Sequence, residues 1–314
     1  DKAKTDDGYD FSPYYTNIKP FIEKTDLAFV NQETILGGGK ASGYPNFNTP
    51  DIMAKNLQDV GFDIVNGATN HSLDKGGDAI LNSIKVFQQY KNMKYIGLYE
   101  SQEKRDDITV VEQNGIKIAL LSYNQLTNGH KMPNSYCMNL FDEDVIKKDV
   151  ENAKEISDFV VVSCHWGNEY DTEPDAFQKK YAKLFADLGV DLVIGTHPHI
   201  IQPVTWVNGQ SGNKTLIAYS LGNFLSTMET QDTQLEGMLS LNFIKKDAKI
   251  FIDDITWTPL INHFGDNTVE VYPLAKYPDD KLAKHFVLHD KPNIIQQYKA
   301  KTRDVIGDKI TIKD

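Results

Sequence analysis

Short runs of β-branched and aromatic residues alternate along this chain with segments whose apolar positions recur every three or four residues. The first pattern suits half-buried or buried strands and the second amphipathic helices, so the alternation predicts an α/β fold class. Strands are predicted at 26–31, 62–66, 159–163, 191–195 and 215–220. The runs Ile108–Gln113 and Ile116–Tyr123 flank Asn114-Gly115, a dipeptide suited to the two positive-φ positions of a tight hairpin. The stretches 237–244 and 250–257 read as a second antiparallel pair. Helices are predicted at 50–60, 77–90, 142–156 and 174–188. Pro50 and Pro174 are placed in first turns, where a missing N–H costs little, and Gly61 and Gly189 follow last turns, where a left-handed residue is wanted. Beyond about Pro259 the pattern loosens into short segments, a lysine-rich helix and a polar end. The expected organisation is a main domain over 1–258 and an appendage, 259–314, packed on it.

Charge narrows the function classes. The 314 residues carry 44 acidic against 33 basic side chains, a net charge of −11, which is the wrong footprint for a general nucleic-acid binder. An anionic substrate is not excluded, because bound cations reverse the local sign. Only Arg105 and Arg303 are arginines, so bidentate clamps on phosphate or carboxylate are scarce. Two cysteines, Cys137 and Cys164, make neither a disulfide framework nor a zinc knuckle. No apolar run approaches the ~20 residues of a membrane span, and the opening residues carry no signal-peptide pattern.

The chemistry concentrates at strand ends. Asn31-Gln32-Glu33 closes the first strand, and Thr69-Asn70-His71-Ser72-Leu73-Asp74 follows the second. Cys164-His165 and Gly195-Thr196-His197-Pro198-His199 close two later ones. In open α/β sheets ligands bind outside the carboxyl ends of strands, so these loops are expected to meet at one crevice. Singly, each has an ordinary reading: a hydrogen-bonded structural His165, a turn-forming Asn70, a solvated Glu33. The two histidines of His-Pro-His, on extended backbone, would project to one side about 6–7 Å apart, a spread suited to two neighbouring ions. Metal-ligand residue types at four strand ends point to a metal site. Competing schemes fail on spacing. Gly37–Lys40 is no phosphate-binding loop, there is no Gly-x-Ser-x-Gly elbow, and Cys164 and His165 point to opposite faces of one strand. Asn70 and Asn213 head short glycosylation matches of the kind expected by chance.

The motifs NQET, ATNHSLD, CHWG and GTHPH resemble those of the CapA proteins of capsule and poly-γ-glutamate synthesis. So do Tyr9-Asp-Phe-Ser-Pro, Tyr44-Pro-Asn-Phe-Asn and Tyr219-Ser-Leu-Gly-Asn-Phe. The resemblance runs from about Tyr9 to Trp257. It implies a four-layer α/β/β/α sandwich of the metallophosphoesterase type with a dinuclear metal centre. It further implies one metal held by Glu33, Asn70, His165 and His197, with Glu33 bridging to a second held by His199. His71 resembles the histidine that assists the leaving group. Asp74 either orients His71 or caps the next helix. Asn31, Tyr44 and Asn223 are expected near substrate.

Mixed nitrogen and oxygen donors suit manganese, iron or zinc. The implied role is metal-activated hydrolysis in synthesis, release or export of an anionic polymer or a phosphorylated substrate. The expected place is the extracellular face of the cell membrane, near membrane synthase subunits, with an N-terminal anchor. The wider superfamily begins with a strand ending in Asp and His. No histidine precedes His71, and Asp1, Asp6, Asp7 and Asp10 do not match that motif, so this N-terminal strand is expected to be missing from the sequence given. A non-catalytic assembly factor with a vestigial metal site is the alternative, supported by the same missing motif.

Overall fold

The computed structural model describes residues 2–246 and 249–313; Asp1, considered above as a motif position, lies outside them. The fold is mixed α/β and divides into two compact units.

The amino-terminal unit comprises Ala3–Ser12 and Lys19–His165. Its elements are β1 (Lys4–Thr5), β2 (Gly8–Tyr9), α1 (Lys19–Ile22), β3 (Phe29–Asn31), α2 (Ile52–Val60), β4 (Ile64–Asn66), α3 (Gly77–Phe87) and β5 (Lys94–Ile96). There follow α4 (Gln102–Asp106), β6 (Thr109–Gln113), β7 (Ile116–Asn124), α5 (Glu143–Ile156) and β8 (Phe159–His165). Strands β3, β4 and β5 are parallel, with Asn31 opposite Asn66 and Asn66 opposite Ile96. Helix α2 buries Met53, Ala54, Leu57 and Val60, and Gly61 ends it at φ 112° with its N–H returned to Leu57 and Gln58. That reversal feeds Phe62 directly into β4. The β6–β7 hairpin forms as predicted, with Asn114 and Gly115 both at positive φ.

Strand β8 is buried at all seven positions and runs parallel to β7, which places His165 opposite Asn124. Burial on both faces explains its unbroken apolar run. Arg105, one of the two arginines, makes a two-pronged ion pair with Asp149 of α5, and Tyr123 donates to the same carboxylate. This guanidinium is therefore a structural tie.

The carboxy-terminal unit comprises, among the described residues, Lys2, Pro13–Ile18 and the chain from Trp166 onward. It contains α6 (Ala176–Leu188), β9 (Leu192–Thr196), β10 (Val204–Asn208), β11 (Lys214–Ala218), β12 (Leu235–Lys246), β13 (Lys249–Gly265), β14 (Thr268–Pro273), α7 (Asp279–Leu282), α8 (Ile294–Ile306) and β15 (Thr311–Ile312). Strand β11 pairs parallel with β9 and antiparallel with β10. Strands β12, β13 and β14 are antiparallel neighbours, and β15 adds alongside β13. Gly237 in β12 leaves room for the Trp257 ring, which occupies the space a Cβ would need.

Three local expectations change. Pro50 and Pro174 lie just before Asp51 and Asp175, outside the first turns. At α6 the cap belongs to Asp175, whose carboxylate accepts the Gln178 amide while the Gln178 side chain accepts the Asp175 N–H. The pattern past Pro259 does not loosen at the backbone: β13 crosses 258/259 unbroken, paired there with β12, and β14 joins its other edge from Leu260. Its buried polar positions Asn262 and His263 hide the strand from a hydrophobic pattern, because their partners arrive from distant segments. The His-Pro-His segment is not extended either, since His197 stands at φ 100° and His199 at φ 62°.

Candidate metal and catalytic site

In the amino-terminal unit the site begins at the ends of β3, β4 and β8. The turn after β4 is cross-braced. The Thr69 N–H donates to Ser72 Oγ at 2.8 Å, Ser72 Oγ donates to the Gly67 carbonyl at 2.7 Å, and Thr69 Oγ1 donates to the Glu33 carbonyl at 2.7 Å. These bonds fix Asn70 and His71 between them and tie that turn to the end of β3.

Asn70 is buried and its Oδ1 lies 2.9 Å from His165 Nε2; Glu33 Oε1 lies 3.8 Å from the same nitrogen. Donor atoms sharing one ion through bonds of about 2.1 Å stand roughly 3–4 Å apart, so an imidazole, an amide oxygen and a carboxylate at these separations fit a divalent cation. The donor set is mixed nitrogen and oxygen, which suits manganese, iron or zinc better than an all-oxygen calcium cage.

His71 stands beside this group. Its Nδ1 lies 2.8 Å from Asp74 Oδ2, and the same carboxylate oxygen accepts the Phe47 N–H at 2.8 Å. Of the two roles left open for Asp74, the cap is not the one seen: α3 begins at Gly77 with no side-chain cap, and the Asp74 carboxylate meets His71 instead. An Nδ1–H donated to Asp74 leaves Nε2 as the nitrogen open to another partner. The Phe47 ring meets the imidazole edge-on at 4.7 Å, with Tyr44, 85% exposed, packed against Phe47. Tyr44 is thus open to solvent one ring away from His71. Asn31, expected near substrate, has its Oδ1 engaged by Asn66 Nδ2 at 2.7 Å, which links the ends of β3 and β4.

Two neighbours escaped sequence reasoning. Asn128 places its amide 3.4 Å from His71 Nδ1 and 3.3 Å from the Asn70 amide, and His130 Nε2 is 4.0 Å from Asp74 Oδ1. Asn128-Gly129 reads locally as a turn, which is why it carried no functional signal.

In the carboxy-terminal unit the segment after β9 presents His197 and His199, both buried, with ring centroids 5.8 Å apart. Non-glycine residues at positive φ store strain that the surroundings must hold. The Asn223 Oδ1 lies 2.6 Å from His199 Nδ1, and its amide nitrogen lies 3.3 Å from the Thr233 carbonyl. Asn223 therefore braces His199. It stands in turn beside Glu236, whose Oε2 accepts the Asn223 N–H. Complete burial pushes the Glu236 carboxyl well above the usual range. Glu169 was also missed in the sequence. Its Oε1 is 3.9 Å from His199 Nε2, and ligand atoms of Glu169, His197 and His199 all lie within 4.8 Å of one another. Its position four residues after His165 is the signal that was available.

Cys164 is fully buried and desolvation raises its thiol well above the ordinary value, so it remains an inert thiol beside His165 in sequence. Among the described residues no helix is long and apolar enough to cross a membrane.

Residues 1–228 match the profile of a family described as Bacterial capsule synthesis protein PGA_cap. The chain is 31% identical over 215 residues to the PGA biosynthesis protein CapA of Bacillus subtilis (strain 168), a match covering 66% of this chain and 55% of that protein. It is 28% identical over 226 residues to the capsule biosynthesis protein CapA of Bacillus anthracis, covering 67% and 53% respectively. The chain thus spans about half the length of the curated relatives it matches. Among solved structures, a 5'-nucleotidase precursor from Thermus thermophilus aligns with 81% of this chain and 45% of its own, at 16% identity and a TM-score of 0.43. A hypothetical protein from the same organism aligns with 81% and 89%, at 14% identity and a TM-score of 0.45.

Proposed function

Because the chain belongs to the bacterial capsule synthesis protein PGA_cap family, we propose that it is a metal-dependent hydrolase acting on an anionic capsule polymer or a phosphorylated precursor. The relatives' naming for poly-γ-glutamate and capsule synthesis supports the polymer class, with poly-γ-glutamate the first candidate. The observation that carries the reading is the convergence of Glu33 and Asn70 on His165 Nε2, beside a His71 already oriented by Asp74.

Bound divalent cations would supply positive charge for an anionic substrate and acidify water near neutral pH. Glu33, Asn70, His165, His197 and His199 are the residues proposed to hold them. The chain's own part is then positional. Asp74 holds the His71 Nδ1–H, so Nε2 faces the reacting group and, in the imidazolium form, delivers its own proton to the departing oxygen, leaving the neutral ring held by Asp74. The Phe47 ring holds that imidazole edge-on, and exposed Tyr44 offers an aromatic surface to the substrate chain. A protein with two arginines, one committed to Asp149, has few bidentate clamps to offer an anion. The proposal includes an extracellular position at the cell membrane beside synthase subunits, where an exported polyanion is met.

The test is elemental analysis of the purified chain with phosphodiester and poly-γ-glutamate hydrolysis assays, for wild type and His165→Ala. The expected result is divalent metal in the wild type, and loss of both metal and hydrolysis in the variant. Metal content unchanged by His165→Ala refutes the site; full metal content with no hydrolysis of either substrate favours an assembly factor.

A further inference from the structure

Glu169 lies in the loop that leaves β8, 44% exposed at its side chain, and its role is not explained by packing. An exposed glutamate is ordinarily free to wander, yet the backbone on both sides of this one is held. Before it, Gly167 stands at φ 88° with Gln178 2.6 Å from where a Cβ would be, so the loop is pressed against α6. After it, the Tyr170 N–H donates to the Pro198 carbonyl at 2.8 Å, which fastens the loop to the His-Pro-His segment itself. The Gln202 side chain donates to the Asp171 carbonyl at 2.7 Å, and Gln202 is in turn bonded to Gln178. The Tyr170 ring lies 6.1 Å from the His199 ring. These contacts aim the Glu169 carboxylate at the two histidines.

The histidines are prepared to receive something there. A histidine whose Nδ1–H is donated to a neighbour presents the lone pair of Nε2, the usual arrangement of a metal-ligating imidazole braced from behind. His199 has that arrangement: Asn223 Oδ1 sits 2.6 Å from Nδ1, and Nε2 faces Glu169 Oε1 at 3.9 Å. A lone pair and a carboxylate facing each other at that distance are reconciled by a positive charge between them, either a proton on Nε2 or a metal cation, and the nearby His197 imidazole favours the metal. Bonds of about 2.1 Å from each atom would span the gap. His197 adds a third donor within 4.8 Å.

We infer that Glu169 is a carboxylate ligand of a divalent cation held with His199 and His197. The inference rests on the metal-dependent reading above and extends it by naming the acidic ligand of the ion that His199 holds. The ligand chemistry is that of a small divalent transition-metal ion, taken by one carboxylate and two imidazoles. Asn223 is then a positioning residue that holds the His199 tautomer.

The experiment is a Mn²⁺ titration of the metal-depleted full chain, counting free Mn²⁺ by its paramagnetic resonance signal, for wild type, Glu169→Gln and Glu173→Gln. Glu173 is exposed in the same loop and belongs to neither group of converging ligand atoms, so its substitution removes the same charge alone. The expected result is that Glu169→Gln weakens one class of Mn²⁺ site by tenfold or more, while Glu173→Gln titrates as wild type. Equal affinities for wild type and Glu169→Gln overturn the assignment and leave the metal-dependent reading standing. Equal weakening by both variants also overturns it, because bulk charge is then the cause. A wild type that takes up no Mn²⁺, Zn²⁺ or Fe²⁺ removes both.

Discussion

Acid should destabilise this protein through one residue of β13. His263 has no exposure to solvent, its Nδ1 lies 2.7 Å from the Tyr277 hydroxyl, and its Nε2 has no hydrogen-bond partner among the described residues. Desolvation, with His285 and Lys281 adding to it against Glu270 and Asp266, pushes the imidazole down to about 4. In the unfolded chain it titrates near its ordinary value of about 6.5. Between those two values the unfolded state binds a proton that the folded state refuses. Stability is therefore intact above about pH 6.5, falls as pH drops below it, and stops falling near 4. At pH 5 the loss comes to about 2 kcal/mol relative to pH 7.5.

His263→Phe keeps an aromatic ring against His285 and Tyr272, at 5.4 and 6.3 Å in the wild type, and cannot titrate. It forfeits the Tyr277 hydrogen bond, about 1 kcal/mol. The variant should be the less stable protein by about 1 kcal/mol at pH 7.5 and the more stable by about the same at pH 5. Urea denaturation of both proteins across that range, followed by tryptophan fluorescence, reads the crossing directly; Trp257 lies in the same strand. A difference between the two proteins that does not change with pH refutes the reasoning.

Two further outcomes follow from buried contacts. Asp149→Ala should cost about 3–5 kcal/mol in denaturant unfolding, because it strands the Arg105 guanidinium and the Tyr123 hydroxyl in the interior. An unfolding midpoint close to wild type would show that water replaces the carboxylate. Asp74→Asn should slow hydrolysis about a hundredfold with metal content unchanged, since it touches the orientation of His71 and none of the proposed ligands. An unaltered rate would separate His71 from Asp74.

The units of regular structure were legible wherever an element's own residues decide it. Gly61 and Gly189 end helices in the left-handed region, and Asn114-Gly115 turns a hairpin, because those conformations depend on the residue at the turn. The apolar run of β8 announces a strand buried on both faces. Strand β13 past Pro259 was hidden for the opposite reason. Its Asn262 and His263 are buried polar residues that become acceptable only when Ser226, Gln234 and Tyr277 come to meet them.

The candidate site divides along the same line. Residue type and strand-end position made Glu33, Asn70, His71, His165, His197 and His199 candidates, because metal chemistry restricts which side chains can serve as ligands. What only the tertiary structure decided is how each is held. Asp74 turned out to be the partner of His71 and no helix cap, and Asn223 the brace of His199. Asn31 meets Asn66, and Glu169 was drawn from an unremarkable loop to face two imidazoles. The physical reason is distance along the chain. A ligand type is a property of one residue, whereas the orientation of an imidazole is set by a hydrogen bond whose partner is chosen by the fold.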